Sequence, residues 1–286
     1  MNADEAVLLI VDEYTRMAET YDARVVPRFR PFAERLLERA GLKPGMTILD
    51  VSTGTGLTAL LAAKAVAPGQ VVAIDLADGA LAVAQTKAAR AGLRNLRFEM
   101  LDSRNIVYRQ QTFDVVVSSF GLPAIGHEQV LREILRVLKE GARFHLVEWA
   151  ARDPPAGWDA FEDVLARHRT ATPSAALAQL REASDLVRAS GDFDAIRNPD
   201  LLTAKMRAAG FANVTSEFHR QAVEFPAVDD LVQFRAAFGT TEREVAEMGD
   251  GNRAAFLADL TARLAEYRHD DGYRFTWSVV YYEASR

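Results

Sequence analysis

A chain of 286 residues with 49% hydrophobic content can bury a full core as one elaborated domain. Its net charge of −6 and pI near 5.5 argue against a phosphate-backbone partner, which would need a basic face. The lack of any cysteine excludes a thiolate nucleophile, a cysteine-ligated zinc site and an iron–sulfur cluster.

In chain order, residues from about 5 to 40 show helical periodicity, expected to break near Pro27 and Pro31. Thr47-Ile48-Leu49-Asp50-Val51 then reads as a buried strand, Ser52-Thr53-Gly54-Thr55-Gly56 as a tight turn, and a helix is predicted to start near Leu57. Glycine suits that turn because the backbone must bend sharply and approach a ligand closely, with the free N–H groups of the next helix facing it. The following apolar run, Val71-Val72-Ala73-Ile74-Asp75, ends on an acidic residue 19 positions after Gly56. That is close to the spacing of a carboxylate that holds ribose hydroxyls, so a nucleoside-containing cofactor on a doubly wound sheet is implied. The turn does not fit the G-x-G-x-x-G of a dinucleotide fold, and no lysine follows Gly56 as a phosphate-binding loop requires.

The turn instead resembles the first motif of class I S-adenosylmethionine-dependent methyltransferases, usually Asp-x-Gly-x-Gly-x-Gly. Here it reads Asp50-Val51-Ser52-Thr53-Gly54-Thr55-Gly56, with the small residue Ser52 at the first glycine position. Later segments follow the order of that family. Leu96 to Ser103 looks like a third strand ending near the acidic residue that contacts adenine, and Phe113 to Leu122 like the fourth strand and the loop beyond it. Arg136-Val137-Leu138-Lys139-Glu140-Gly141 is similar to the helix-to-strand signature "RVLKPGG", with glutamate replacing proline, and Phe144 to Trp149 is the next strand. The resemblance covers roughly residues 20 to 150 well, and is nearest to the small-molecule group that includes the ubiquinone and menaquinone biosynthesis methyltransferases.

After Trp149 the strand–helix rhythm stops. Residues 152–157 form a turn-rich junction, and about 158–190 read as amphipathic helix. Leu201 to Phe211 is helical with Gly210 as its terminator, and resembles the "L-x-x-A-G-F" that precedes the sixth strand, here about 213–221. A helical block from about 228 to 268 and an aromatic, β-branched run from Tyr273 to Ala284 close the chain. The resemblance implies a Rossmann-like α/β fold, doubly wound, with a seven-stranded sheet of order 3-2-1-4-5-7-6 and the last strand antiparallel. The expected organisation is a helical lid (1–45), a cofactor-binding core (46–150), a helical cap insertion (151–200), and a C-terminal part of the sheet (201–286) with a second helical insertion at about 226–270.

The resemblance also implies the cofactor, S-adenosyl-L-methionine, and residues to hold it. Asp50, Ser52, Gly54 and Gly56 fall at the methionine end, Asp75 with Leu76 at the ribose, and Asp102 with Ser103 at the adenine. Ser118 and Phe120, past the fourth strand, would line the methyl-transfer face. Tyr21, in a helix that closes over the cofactor in similar enzymes, is a further candidate, with aromatic packing onto the sheet as its bland alternative. His127, shortly after the fourth strand, is the candidate general base, since a histidine titrates near 6.5; its alternative is an exposed residue at a helix start. His145, flanked by Phe144 and Leu146, reads as core, while Glu148 and Trp149 point toward the expected pocket and could shape the acceptor site, with packing under the cap as the alternative for Trp149. His168, His219 and His269 are scattered over the later segments without metal-ligand spacing, so no metal is expected.

Aromatic residues on the insertions suggest an apolar or aromatic small-molecule acceptor methylated on O, N or C. The competing reading is a protein that binds S-adenosylmethionine for a structural or electrostatic purpose in a non-methylating reaction. Neither nucleic acid nor membrane is expected as a partner: the fourth strand ends in Ser118-Ser119-Phe120-Gly121, not the Asn/Asp-Pro-Pro-aromatic of nucleic-acid amino-methylases. With no apolar stretch of about 18 residues and no signal-like start, a cytoplasmic protein is expected, and a homodimer is left open.

Overall fold

Alternating apolar residues set the sheet. In β1 (Thr47–Val51), β2 (Gln70–Asp75) and β4 (Phe113–Ser119), Ile48, Val71, Ala73, Val115 and Val117 face one apolar cluster, and Leu49, Val51, Val72, Ile74 and Val116 face the other. A strand buried on both faces is the mark of a doubly wound sheet with helices on each side. The computed structural model describes residues 1–150 and 157–286, so most of the predicted 152–157 turn lies outside the described residues.

The remaining strands are β3 (Leu96–Met100), β5 (Leu138–Trp149), β6 (Ala212–Phe225), β7 (Arg268–His269) and β8 (Gly272–Ser285). Their order is β3-β2-β1-β4-β5-β8-β6, with β8 antiparallel to both neighbours. This is the expected order, with one addition: the two-residue β7 folds back on β8, so the final long strand is the eighth in the chain. β5 begins earlier than expected, because Leu138 already pairs with Phe113 before a bulge brings Arg143 opposite Val115.

On the first face lie α2 (Val26–Ala40) and α3 (Leu57–Val66), together with α6 (Trp158–His168), α10 (Val228–Ala236), α11 (Thr241–Glu247) and α12 (Asp250–Arg263). On the second lie α5 (His127–Val137), α8 (Asp192–Arg197) and α9 (Pro199–Ala209). The stretch read as one helix over 158–190 is two, α6 and α7 (Ala175–Ala189), the second begun by the Ser174 hydroxyl accepting from the Leu177 N–H. Gly210 ends α9 at φ 107, in the left-handed region its place required.

The N-terminal break also differs. α1 (Ala3–Arg24) ends at Val25, ahead of both prolines. Pro27 sits in the first turn of α2, where its missing N–H costs nothing, and Pro31 is carried inside that helix without ending it. α1 then crosses the start of α4 (Asp78–Arg90) so closely that a Cβ on Gly79 would lie 2.4 Å from the Thr15 carbonyl oxygen. That crossing lays α1 across the carboxyl ends of β1 and β2. Among the described residues no helix is long and apolar enough to cross a membrane.

Candidate functional site

The carboxyl ends of β1, β2 and β4, the loops beyond them and α1 enclose a cavity of about 370 Å³. The glycine turn is its floor. Ser52, Gly54 and Gly56 take φ values of 57, 54 and 82, so the first of these places a serine in a backbone region that favours glycine. Phe120 does the same at φ 54, its N–H donating to the Val147 carbonyl at 2.9 Å. Two strained non-glycine residues at one cavity mark where the surrounding structure overrides local preference. They are neighbours through Gly121, whose added Cβ would fall 2.7 Å from the Ser52 Cβ.

Asp75 organises the turn from β2. Its Oδ2 accepts the Gly54 N–H at 2.7 Å and its Oδ1 the Ala77 N–H at 3.0 Å. Burial raises its pKa, and the backbone donors of Ala77, Gly54 and Leu76 oppose that rise. Asp50 lies beneath, 1% exposed, with the Thr53 hydroxyl donating to it at 2.6 Å; burial pushes it up to about 7. Asp22 of α1 accepts from the Thr55 hydroxyl at 2.7 Å, and Lys87 of α4 donates to the Thr55 carbonyl at 2.9 Å, so helix and turn are tied together.

At the far end, Asp102 is gripped by Arg104, whose backbone N–H donates at 2.8 Å and whose guanidinium pairs with it at 2.8 Å. Burial works against this carboxylate's charge, but the arginine bonds prevail and its pKa is lowered. The same guanidinium reaches Asp4 of α1 at 2.6 Å.

Of the residues expected from sequence, Tyr21, Ser52, Gly54, Asp75, Leu76, Asp102, Ser103 and Phe120 line this cavity. Asp50, Gly56, Ser118 and His127 stand off its wall. Gly56 faces α4, where its Cβ would meet the Ala84 Cβ at 2.8 Å. Ser118 is fully buried and donates to the Val51 carbonyl at 3.0 Å, leaving Ser119, one residue on, to line the cavity. His127 is not an exposed helix-start residue: it is fully buried. His145 is core as expected, 1% exposed, with burial driving its pKa down to about 4. Sequence reasoning missed Arg104 and the apolar stripe of α1.

A family described as "Methyltransferase domain" matches residues 48–141. Nocamycin O-methyltransferase of Saccharothrix syringae is 30% identical over 273 residues, covering 88% of this chain and 91% of the relative. The chain belongs to the class I S-adenosylmethionine-dependent methyltransferases. A ubiquinone/menaquinone biosynthesis C-methyltransferase of Idiomarina loihiensis is 34% identical over 151 residues, 50% of this chain and 59% of that relative. A solved putative methyltransferase from Bacillus halodurans shares the fold, with a TM-score of 0.57 at 21% identity over 88% of this chain and 97% of the other.

The cavity of this methyltransferase fits the cofactor of its family. Gly54 lines the cavity and a Cβ on it would meet no protein atom within 4 Å, so the turn leaves room for a ligand to approach its backbone. The ionised Asp102 and the N–H-bonded Asp75 border that space, as acceptors for adenosine hydroxyl or amino groups require.

Behind the wall, Glu148 holds the loop after β4. It is 4% exposed, and its Oε1 accepts the Leu122 N–H at 3.1 Å. Burial pushes its pKa up to about 8 from an ordinary 4.5. The folded protein therefore keeps a proton that the unfolded chain releases, and stability drains away as pH rises from about 4.5 to about 8. Glu148→Gln keeps an acceptor for Leu122 and removes the titration. Its melting temperature should fall less than that of the unsubstituted protein between pH 5 and pH 8; an equally steep fall would show that Glu148 does not carry this dependence.

Proposed function

We propose that this enzyme methylates a small, apolar or aromatic metabolite on O, N or C, with oxygen favoured, chiefly by holding donor and acceptor in line. One observation carries the reading: the division of the cavity wall. Ser52, Gly54, Asp75, Asp102 and Ser103 come from the ends of β1, β2 and β3 and the segments just beyond them, while α1, α2 and the loop after β4 supply Val7, Ile10, Phe29, Phe120 and Leu122 and, among the described residues, no charged side chain. The ring centroids of Phe29 and Phe120 lie 4.9 Å apart, a surface suited to a flat apolar body. The relative matched over nearly the whole chain being an O-methyltransferase supports oxygen as the acceptor atom.

When bound, S-adenosylmethionine supplies an electrophilic methyl group on a sulfonium centre. The chain's own residues then provide position. Asp75 takes the ribose hydroxyls, Asp102 with Ser103 the adenine, and Ser52 with Gly54 the methionine end. Residues 1–45 act as a lid over the 46–150 core, and the helices within 151–200 and about 226–270 as a cap. Excluding water and fixing the approach supplies most of the acceleration available to such a displacement.

No base on the wall is required when the acceptor oxygen is already ionised. Proton removal by His127 is outside the proposal, since that ring is fully buried off the cavity wall. His127→Ala should leave kcat within about threefold, and a loss of roughly 10²–10⁴-fold would reinstate it as the base. The function itself is tested by incubating the protein and methyl-labelled S-adenosylmethionine with matched phenols and amines. Label in a phenol with equal S-adenosylhomocysteine is the expected result. Cofactor binding without S-adenosylhomocysteine from any acceptor would favour the non-methylating use.

A further inference from the structure

Along α1 one stripe faces the cavity: Val7, Ile10, Val11, Tyr14, Ala18 and Tyr21, at the spacings of a single helix face. Its only polar side-chain atoms are two phenol oxygens. Among the described residues neither has a hydrogen-bond partner in the protein. Tyr21 stands edge-on to Tyr14 at 6.2 Å and to Phe238 at 6.5 Å, so packed rings hold both in place. Tyr14 nonetheless keeps 40% of its surface open and lines the cavity.

The two tyrosines are not equivalent. Tyr21 is next to Asp22, which is tied to the glycine turn through the Thr55 hydroxyl at 2.7 Å. Tyr14 lies seven residues earlier, about 10 Å along the helix, between Val11 and Ala18. Burial and the nearby Asp75 carboxylate raise its pKa, so the phenol stays a donor at neutral pH, with Arg235 opposing the rise. With 40% of its surface open and no protein acceptor among the described residues competing for it, this donor is available to whatever fills the cavity and trades a bond to water for one to the occupant.

We propose that Tyr14 is a specificity-determining residue for the methyl acceptor, donating its hydroxyl hydrogen to an oxygen on an otherwise apolar, ring-bearing molecule. The inference rests on the apolar-acceptor reading above and adds to it a required oxygen. Tyr14→Phe removes the donor and keeps the ring that packs on Tyr21.

The test titrates 2-naphthol and naphthalene, alike except for one oxygen, against protein saturated with S-adenosylhomocysteine, read by tryptophan fluorescence. The unsubstituted protein should bind 2-naphthol about tenfold more tightly than naphthalene, and Tyr14→Phe should bring the ratio near one. The S-adenosylhomocysteine dissociation constant should be unchanged in the variant. A preference that survives Tyr14→Phe, or none in the unsubstituted protein, overturns the inference. Weakened S-adenosylhomocysteine binding in the variant would overturn it too, by assigning Tyr14 to the cofactor. If neither probe binds while S-adenosylhomocysteine does, the apolar-acceptor reading itself falls.

Discussion

Asp75→Ala should weaken S-adenosylmethionine binding by about 1–3 kcal/mol, roughly 5- to 150-fold in dissociation constant. Two losses combine. The carboxylate that would meet the ribose hydroxyls disappears, and the Gly54 and Ala77 N–H groups lose the acceptor that holds them at 2.7 and 3.0 Å. Asp75→Asn should fall between the two, because an amide oxygen can accept from one of those donors while its NH₂ group opposes the other. Calorimetric titration reads this directly, and an unchanged dissociation constant in Asp75→Ala would remove Asp75 from the site.

The two glycines of the turn should fail in different ways. At Gly56, φ is 82 and a Cβ would lie 2.8 Å from the Ala84 Cβ and 3.2 Å from the Phe98 ring, atoms set in packed elements. Gly56→Val should therefore cost the fold about 1–2 kcal/mol in backbone strain and a further ~1–3 kcal/mol in overpacking. At Gly54, which lines the cavity, no protein atom lies within 4 Å of an added Cβ. Gly54→Ala should show only the strain in its melting temperature and yet lose at least about tenfold in cofactor affinity. Equal destabilisation by the two substitutions, with binding intact, would contradict the placement of the turn beneath the cofactor.

Much of this was legible in the chain because two simple signals agree. Continuous apolar runs such as Ile48-Leu49 and Val71-Val72, whose successive side chains alternate between the two clusters, identify strands buried on both faces. Residues that end such strands must emerge at one edge of the sheet, which is why Asp75 can be placed by position, whereas Asp102, just beyond the less buried β3, rests on the family resemblance. The same alternation sets the limit. Ser118 and Ser119 are adjacent, and only the pairing of β4 with β5 shows which of them turns inward to Val51 and which reaches the cavity.

Helices hide more. His127 follows the fourth strand at a plausible distance, but the first residue of α5 turns into the protein, a direction that sequence separation does not carry. α1 is apolar on the face that lines the cavity and bonded through Glu13 and Arg16 on another, where Arg16 reaches Glu242 of α11 at 2.6 Å. Either face could have been read as core. Only the crossing over Gly79 decides, and it lies 64 residues from Thr15 in the chain.

The most direct test of the whole account is calorimetric titration of the unsubstituted protein with S-adenosylmethionine, S-adenosylhomocysteine and NAD⁺. One-site binding of the first two at micromolar strength, with no heat from NAD⁺, is the predicted result. Failure to bind either sulfur ligand, or binding of NAD⁺ instead, would contradict the assignment of this cavity to S-adenosylmethionine.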